Sequence, residues 1–491
     1  MSEVWASSLN PTDVQTAINN AVNGDTVVLP AGDNDTWTTG PGSAYTSCCY
    51  VPATKLISLR GQGSAATILR QPSGSYRFFI FNPSNSSVNQ SFTLEMYGFT
   101  CVGPSGDIDA PVWPSSTGTG YAIQTKRYKY INVHDVHLHN KNFGVVTDSY
   151  GVVWDCLFKY MINNYSPSTH GSGGYGVAVK GLYGSTWPSE YPAFGTADNL
   201  FIEDCEFYGC KHGTQGADLA KYVSRHNLYH FGWSTHGQID GHGARDTEGE
   251  ASSTLQLEIY ENQIGIDACS YEEGYHDYAT NWRGGRALFF NNAITGSPSS
   301  YNYTLVVSDG DIDAHDEPIY SYPADYPIIW QPRGGYEWGN TYNSSPCHFY
   351  STNADWFVSN RLSGKLDYDG QSANFTVGDK VTGQSSGANG YICKDTDSGT
   401  YGTLVLRSVS GTFQNNETIL DEHSGHALVN GVLYWAYRDF QNSTQPEDYQ
   451  IYDYPHPFRP GGGSSSLVGS FGGSSSVVGK SKLKRKLYGV V

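Results

Sequence analysis

Leu9 to Gly32 reads LNPTDVQTAINNAVNGDTVVLPAG, and this stretch decides the fold. Val14, Ala17, Ile18 and Ala21 recur at helical spacing, so one face of a short helix is apolar. Asn10 or Thr12 can cap its start, and Gly24 stands where such a helix stops. Asp25 to Gly32 then gives a short β-branched strand ended by turn residues. A short amphipathic helix leading directly into a strand suits one task well. It covers the apolar cross-section and the unpaired strand edge at the end of a solenoid.

Downstream, short apolar runs recur, each followed by Asn or Asp and a turn. Examples are YINVHDVHLHN (130–140), GVVWDCLFKY (151–160), LFIEDCEFYG (200–209) and ALFFNNAITG (287–296). Their spacing suits one solenoid coil plus variable loops. Asp135, Asp155, Asp204, Asn227, Asn262 and Asn292 fall within runs, where polar residues tolerate a bent backbone and stack in ladders. With 491 residues the chain is too long for one ordinary compact core, a limit that a solenoid escapes.

The cap and the recurring runs together resemble right-handed parallel β-helix proteins, the family of pectate-lyase-like enzymes and bacteriophage tailspikes. IDGHG (239–243), RGGRALFFNNAITG (283–296) and YDYPHPF (452–458) are similar to motifs of β-helix proteins from phage and environmental sequences. The likeness covers about 1–345 and 433–460. It implies an all-β fold: cap and first coil over 1–50, β-helix over 51–371 and a final β-helix segment over 432–460. Residues 372–431 differ in texture. Phe375 to Ser386-Gly387 and Phe413 to Ser424-Gly425 span the same interval, so this is a duplicated hairpin-like unit, read as an insertion. It resembles small β modules of phage structural proteins.

Residues 461–491 form a Gly/Ser linker with a repeated GGSSS[LV]VG-like element and a basic end. Lys484, Arg485, Lys486, Leu487 and Tyr488 are its candidate attachment residues. Positive charge would seek an acidic partner surface, and the apolar residues would add a strand or fill a pocket.

A formal net charge of −18 disfavours nucleic acid as a partner of the body and suits Ca²⁺. No stretch reaches transmembrane length, and the first residues lack the basic and apolar regions of a signal peptide. The nine cysteines include no CxxC pair, so zinc is not expected, and Cys156 and Cys205 read as free core thiols. Tyr outnumbers Phe 37 to 20, which suits wet aromatic surface for carbohydrate or for subunit contact.

Three polar clusters carry candidate chemistry. In 236–250, Asp240, His242, Arg245, Asp246 and Glu248 lie among glycines. Asp240 with Asp246 or Glu248 would supply the two carboxyls of a glycosidase, and His242 with Arg245 the base and cation of a lyase. Tyr271, Glu272, Tyr275, His276 and Trp282 suit sugar binding by stacking and hydrogen bonds. Asp309, Asp311 and Asp313 alternate like the start of a Ca²⁺ loop, although Tyr320 stands where an EF-hand has Glu. The expected function is a virion surface appendage of tailspike character, trimeric, glycan-binding, and attached to other virion proteins through the tail. The alternative is a polysaccharide lyase or glycoside hydrolase on the same fold.

Overall fold

The computed structural model describes residues 2–38, 47–71, 76–82, 84, 91–104, 120–161, 174–181, 192–230, 238–242, 253–266, 279–282, 284–296, 305–307, 335–347, 349–350, 363–437, 440–442, 445–446 and 449–460. The helix runs Pro11–Asn20, with the Asn10 side chain accepting from the Thr12 amide at 2.9 Å. Val14, Ala17, Ile18 and Ala21 are all buried, as a cap requires.

Successive coils stack with parallel pairing on three faces. Face 1 starts at Glu3–Trp5 and Thr26–Val28 and continues through Tyr150–Trp154, Leu200–Glu203, Lys221–Arg225, Gln256–Tyr260, Arg286–Phe290 and Gly335–Trp338 to Phe440–Asn442. Face 2 follows the face 1 strands of the coils between these ends after a sharp corner, as in Leu157–Lys159, Glu206–Tyr208 and Gln263–Gly265. Face 3 is a ten-stranded parallel sheet from Ser47–Val51 to Phe349–Tyr350. Each coil therefore contributes one strand to each face, which is a parallel β-helix. Strand alternation sends every second side chain inward, where Ile123, Val145, Val177 and Ile239 from face 3 meet Ile131, Val153, Ile202 and Ile259 from face 1.

The polar residues inside the apolar runs divide into two roles. Asp135, Asp155 and Asp204 take left-handed φ values of 48°, 51° and 50° at the corner between faces 1 and 2. Aspartate adopts that region more readily than most side chains. Asn227, Asn262, Asn292 and Asn340 occupy the next position and turn inward. Each carboxamide oxygen accepts the backbone N–H and the side-chain N–H of the preceding coil's Asn, or for Asn227 the Cys205 amide. Each Nδ2 also donates to a face 1 carbonyl. Cys156 and Cys205 hold the same position on the earlier coils as free, buried thiols set against carbonyl oxygens. Vicinal Cys48 and Cys49 are also sealed, with their thiols on the carbonyls of Trp37 and Pro11. Burial raises the Cys48 thiol to about 11.

Lys141 lies wholly inside the coil. Its Nζ donates to Gln71 Oε1 at 2.7 Å and to the Tyr76 carbonyl at 3.0 Å. Burial pulls its amine down from 10.5 to about 7, partly opposed by the nearby Cys48 and Cys101 thiols. The unfolded chain then binds more protons than the native one above that value, so stability rises with pH. Between about pH 7 and about pH 8.5 the Lys141 contribution should be a gain of about 1.5 kcal/mol, opposed by the buried thiols, which stay protonated while unfolded thiols begin to ionise. Stabilities from denaturant unfolding at the two pH values should therefore change more favourably in the parent than in Lys141→Met, by about 1.5 kcal/mol, the thiols acting equally in both. An equal slope in both would refute the assignment.

The inserted module is wider than the duplicated segment, running from Ser363–Ala373 to Tyr434–Tyr437. Its flanking strands lack the repeated motif, so the sequence pattern marks only the middle. Six antiparallel strands close on themselves, because Ser363–Ala373 pairs both with His426–Val429 and with Gly402–Ser410. The central pair is Lys380–Gly383 with Thr418–Leu420, one from each repeat. The motif acids exchange partners across it. Glu417 accepts from the Ser385 and Ser386 amides and the Ser386 hydroxyl, while Asp379 pairs with His423 in the other repeat's loop.

Candidate functional site

On face 3 the outward row one residue past the core row carries Gln215, Asp240 and Asn281 in register on three consecutive coils. Neighbouring coils lie about 4.8 Å apart, so these side chains form a closely spaced polar line. They are nonetheless buried, Asp240 completely. Two residues along, His242 points to the same side. Its Nδ1 lies 3.8 Å from Asp240 Oδ2, an ion-pair separation for a protonated imidazole and too long for a hydrogen bond. The His242 side chain is about a quarter exposed.

The backbone holds this pair firmly. His242 donates its amide to the Gly216 carbonyl and accepts from the Thr254 amide. The Tyr222 hydroxyl donates to the Asp240 carbonyl from within the coil. Gly241 between them faces inward, where an added Cβ would sit 2.5 Å from Leu257 Cδ1. Glycine is therefore required for the strand to carry both side chains outward without forcing Leu257 to move.

Asp240 and His242 are thus brought together, whereas the expected partners, Asp246 or Glu248 for Asp240 and Arg245 for His242, are not among the described residues. Arg245, Asp246, Glu248, Tyr271, Glu272, Tyr275, His276, Asp309, Asp311, Asp313, Lys484, Arg485, Lys486, Leu487 and Tyr488 lie outside the described residues. Trp282 departs from its expected role. It is fully buried in the core, with its indole N–H on the Gly284 carbonyl at 2.9 Å, so its ring is not offered to a sugar. The alternation that points Asn281 outward points Trp282 inward. Among the described residues, no group of three or more His, Cys, Asp or Glu is arranged to hold a metal ion.

Two aromatic columns were not anticipated. On face 1, Tyr97, His134 and Trp154 stack at 4.6 and 4.5 Å with interplanar angles of 11° and 20°. The His134 ring is covered on both faces, a ladder that ties coils together. On face 3, the first residue of each of four successive strands is aromatic or imidazole: Tyr121, Phe143, Tyr175 and His212. The signal was present as YAIQT, FGVVT, YGVAVK and HGTQGA, but the loops between them differ in length and hide the register.

Further along face 1 the outer surface is covered by the chain itself. Gly195 donates to Glu258 Oε1 at 2.8 Å and the Tyr449 hydroxyl to Glu258 Oε2 at 3.0 Å. Burial raises the Glu258 carboxyl above its usual range. Arg225, fully buried, donates to Glu203, the Tyr260 hydroxyl and the Tyr452 carbonyl. This segment was expected to be a last piece of β-helix. Among the described residues of this segment only Phe440–Asn442 pairs that way, and Tyr449 and Tyr452 contact the outer side of face 1.

No protein-family model and no curated protein sequence matches the chain. Among solved structures it is similar to an alginate lyase from Paenibacillus sp. str. FPU-7, with a TM-score of 0.38 and 13% identity, covering 71% of this chain and 97% of that one. It is also similar to a mutant tailspike protein of E. coli bacteriophage HK620 in complex with pentasaccharide. That TM-score is 0.32 at 11% identity, covering 87% of this chain and 91% of that one. Among the described residues no helix is long and apolar enough to cross a membrane.

Proposed function

We propose that this β-helix protein binds glycans on the outer side of face 3 and serves as a tailspike-like appendage on a bacteriophage virion. The observation that supports the glycan reading is the in-register line Gln215, Asp240 and Asn281 with His242 beside it. Of these, His242, about a quarter exposed, is the group within reach of a ligand, with the buried carboxylate of Asp240 beside it and the buried amides in line behind. The solenoid supplies rigidity, and the basic tail is the proposed attachment to other virion proteins, in a homotrimer.

A second reading, a polysaccharide lyase or hydrolase, is favoured by the same pair. A histidine next to a buried carboxylate is suited to proton transfer. One experiment separates the two. The parent, Asp240→Asn and His242→Ala are offered a polysaccharide panel, and both binding and new reducing or unsaturated ends are measured. The appendage reading expects binding without product, weakened about tenfold or more in both variants, a loss of about 1.4 kcal/mol. Product formation that both substitutions abolish would replace it with the enzyme reading. Co-sedimentation with phage particles tests the virion role, and a protein never found with particles refutes it.

A further inference from the structure

We propose that Arg77, Tyr121, Phe143, Tyr175 and Lys211 form a second binding site, for an anionic polysaccharide laid parallel to the coil axis. It rests on the glycan-binding reading but on different residues from the Asp240 and His242 pair. Arg77, Tyr121, Phe143 and Tyr175 occupy one register position on four consecutive coils, and all are half-buried. None of the three rings belongs to the core cluster.

Ring orientation distinguishes this row from the face 1 ladder. Tyr121 meets Phe143 at 83° and Phe143 meets Tyr175 at 79°, with centroids 4.6 and 5.1 Å apart. Edge-to-face contacts leave part of a ring face uncovered, where the C–H side of a pyranose can stack. Parallel stacking, as in Tyr97, His134 and Trp154, covers both faces of the middle ring and one face of each outer ring.

Charge supplies the ligand class. The Arg77 guanidinium lies 4.8 Å over the Tyr121 ring, and Lys211 Nζ lies 6.0 Å from the Tyr175 ring. Cations thus stand at both ends of the aromatic row on a protein of net charge −18. Lys126 also lies near Arg77, its amine lowered first by burial and then by that guanidinium. A neutral glycan would need only the rings. A polymer bearing carboxylate or sulfate groups uses the cations as well.

Affinity electrophoresis tests this with the full chain in gels containing polygalacturonate, dextran sulfate or uncharged dextran. The parent should be retarded by one or both charged polymers and not by dextran, and the more effective one identifies carboxylate or sulfate as the recognised group. Arg77→Gln and Phe143→Ala should each weaken retardation about tenfold, while Phe143→Tyr and Tyr401→Ala, an exposed residue of the inserted module, should retain it. Circular dichroism checks that each variant is folded, and Arg77→Gln carries the test if Phe143→Ala is not. Row variants that bind like the parent overturn the proposal, as does retardation lost only in Asp240→Asn. Retardation by dextran alone overturns the anionic class and leaves glycan binding standing. No retardation by any polymer counts against both.

Discussion

Replacing Asn262 with Leu should cost the solenoid about 4 kcal/mol, because several buried polar groups lose their partners at once. The Asn262 oxygen takes the Asn227 amide and side-chain N–H, at 3.0 and 3.1 Å. Its Nδ2 serves the Ser224 carbonyl and Asn292 Oδ1, at 2.9 and 3.0 Å. Leucine has a similar volume, so the loss is one of hydrogen bonding and not of packing. Asn340 should matter less, since among the described residues no further asparagine accepts on its far side and its removal breaks one side of the ladder. Denaturant unfolding of the two variants checks this ordering. Equal midpoints would mean that the ladder does not act as a connected chain of bonds.

Arg225→Met should be about as damaging, at about 3–5 kcal/mol, through the charge it leaves behind. Glu203 is completely buried and pairs with Arg225, whose Nε lies 2.9 Å from Oε1. Without the guanidinium the carboxylate is stranded, and the Tyr452 carbonyl loses its donor. Adding Glu203→Gln should recover part of the stability, because a neutral amide is far less costly to bury than an unpaired charge. Limited proteolysis should also cut faster between 445 and 452 in the single variant. A parent-like melting temperature together with parent-like proteolysis would show that the pair does not hold that segment.

The fold was legible because its rules are local. The capping helix follows from four apolar residues at helical spacing and an Asn before Pro11, and the coils from β-branched runs closed by Asn or Asp. The two roles of those polar residues were not legible. Asp204 and Asn227 look alike in a run, yet one takes the left-handed corner and the other turns inward one position later. That difference is a matter of register between coils. The candidate site followed the same limit. Asp240 and His242 were readable as neighbours in sequence, whereas Trp282 was misplaced because the two-residue alternation decides its side. The Tyr121, Phe143 and Tyr175 row depends on pairing across loops of unequal length, which only three-dimensional stacking brings into line.

The inserted barrel begins and ends on paired strands, with Ser363 opposite Tyr437. A chain that leaves and returns within about one strand spacing, roughly 5 Å, asks almost nothing of its host in loop-closure entropy. The barrel is therefore an interchangeable cassette. Its strands pair among themselves, and Gly335–Trp338 pairs with Phe440–Asn442 across the insertion, so the stacking of the coils does not run through it.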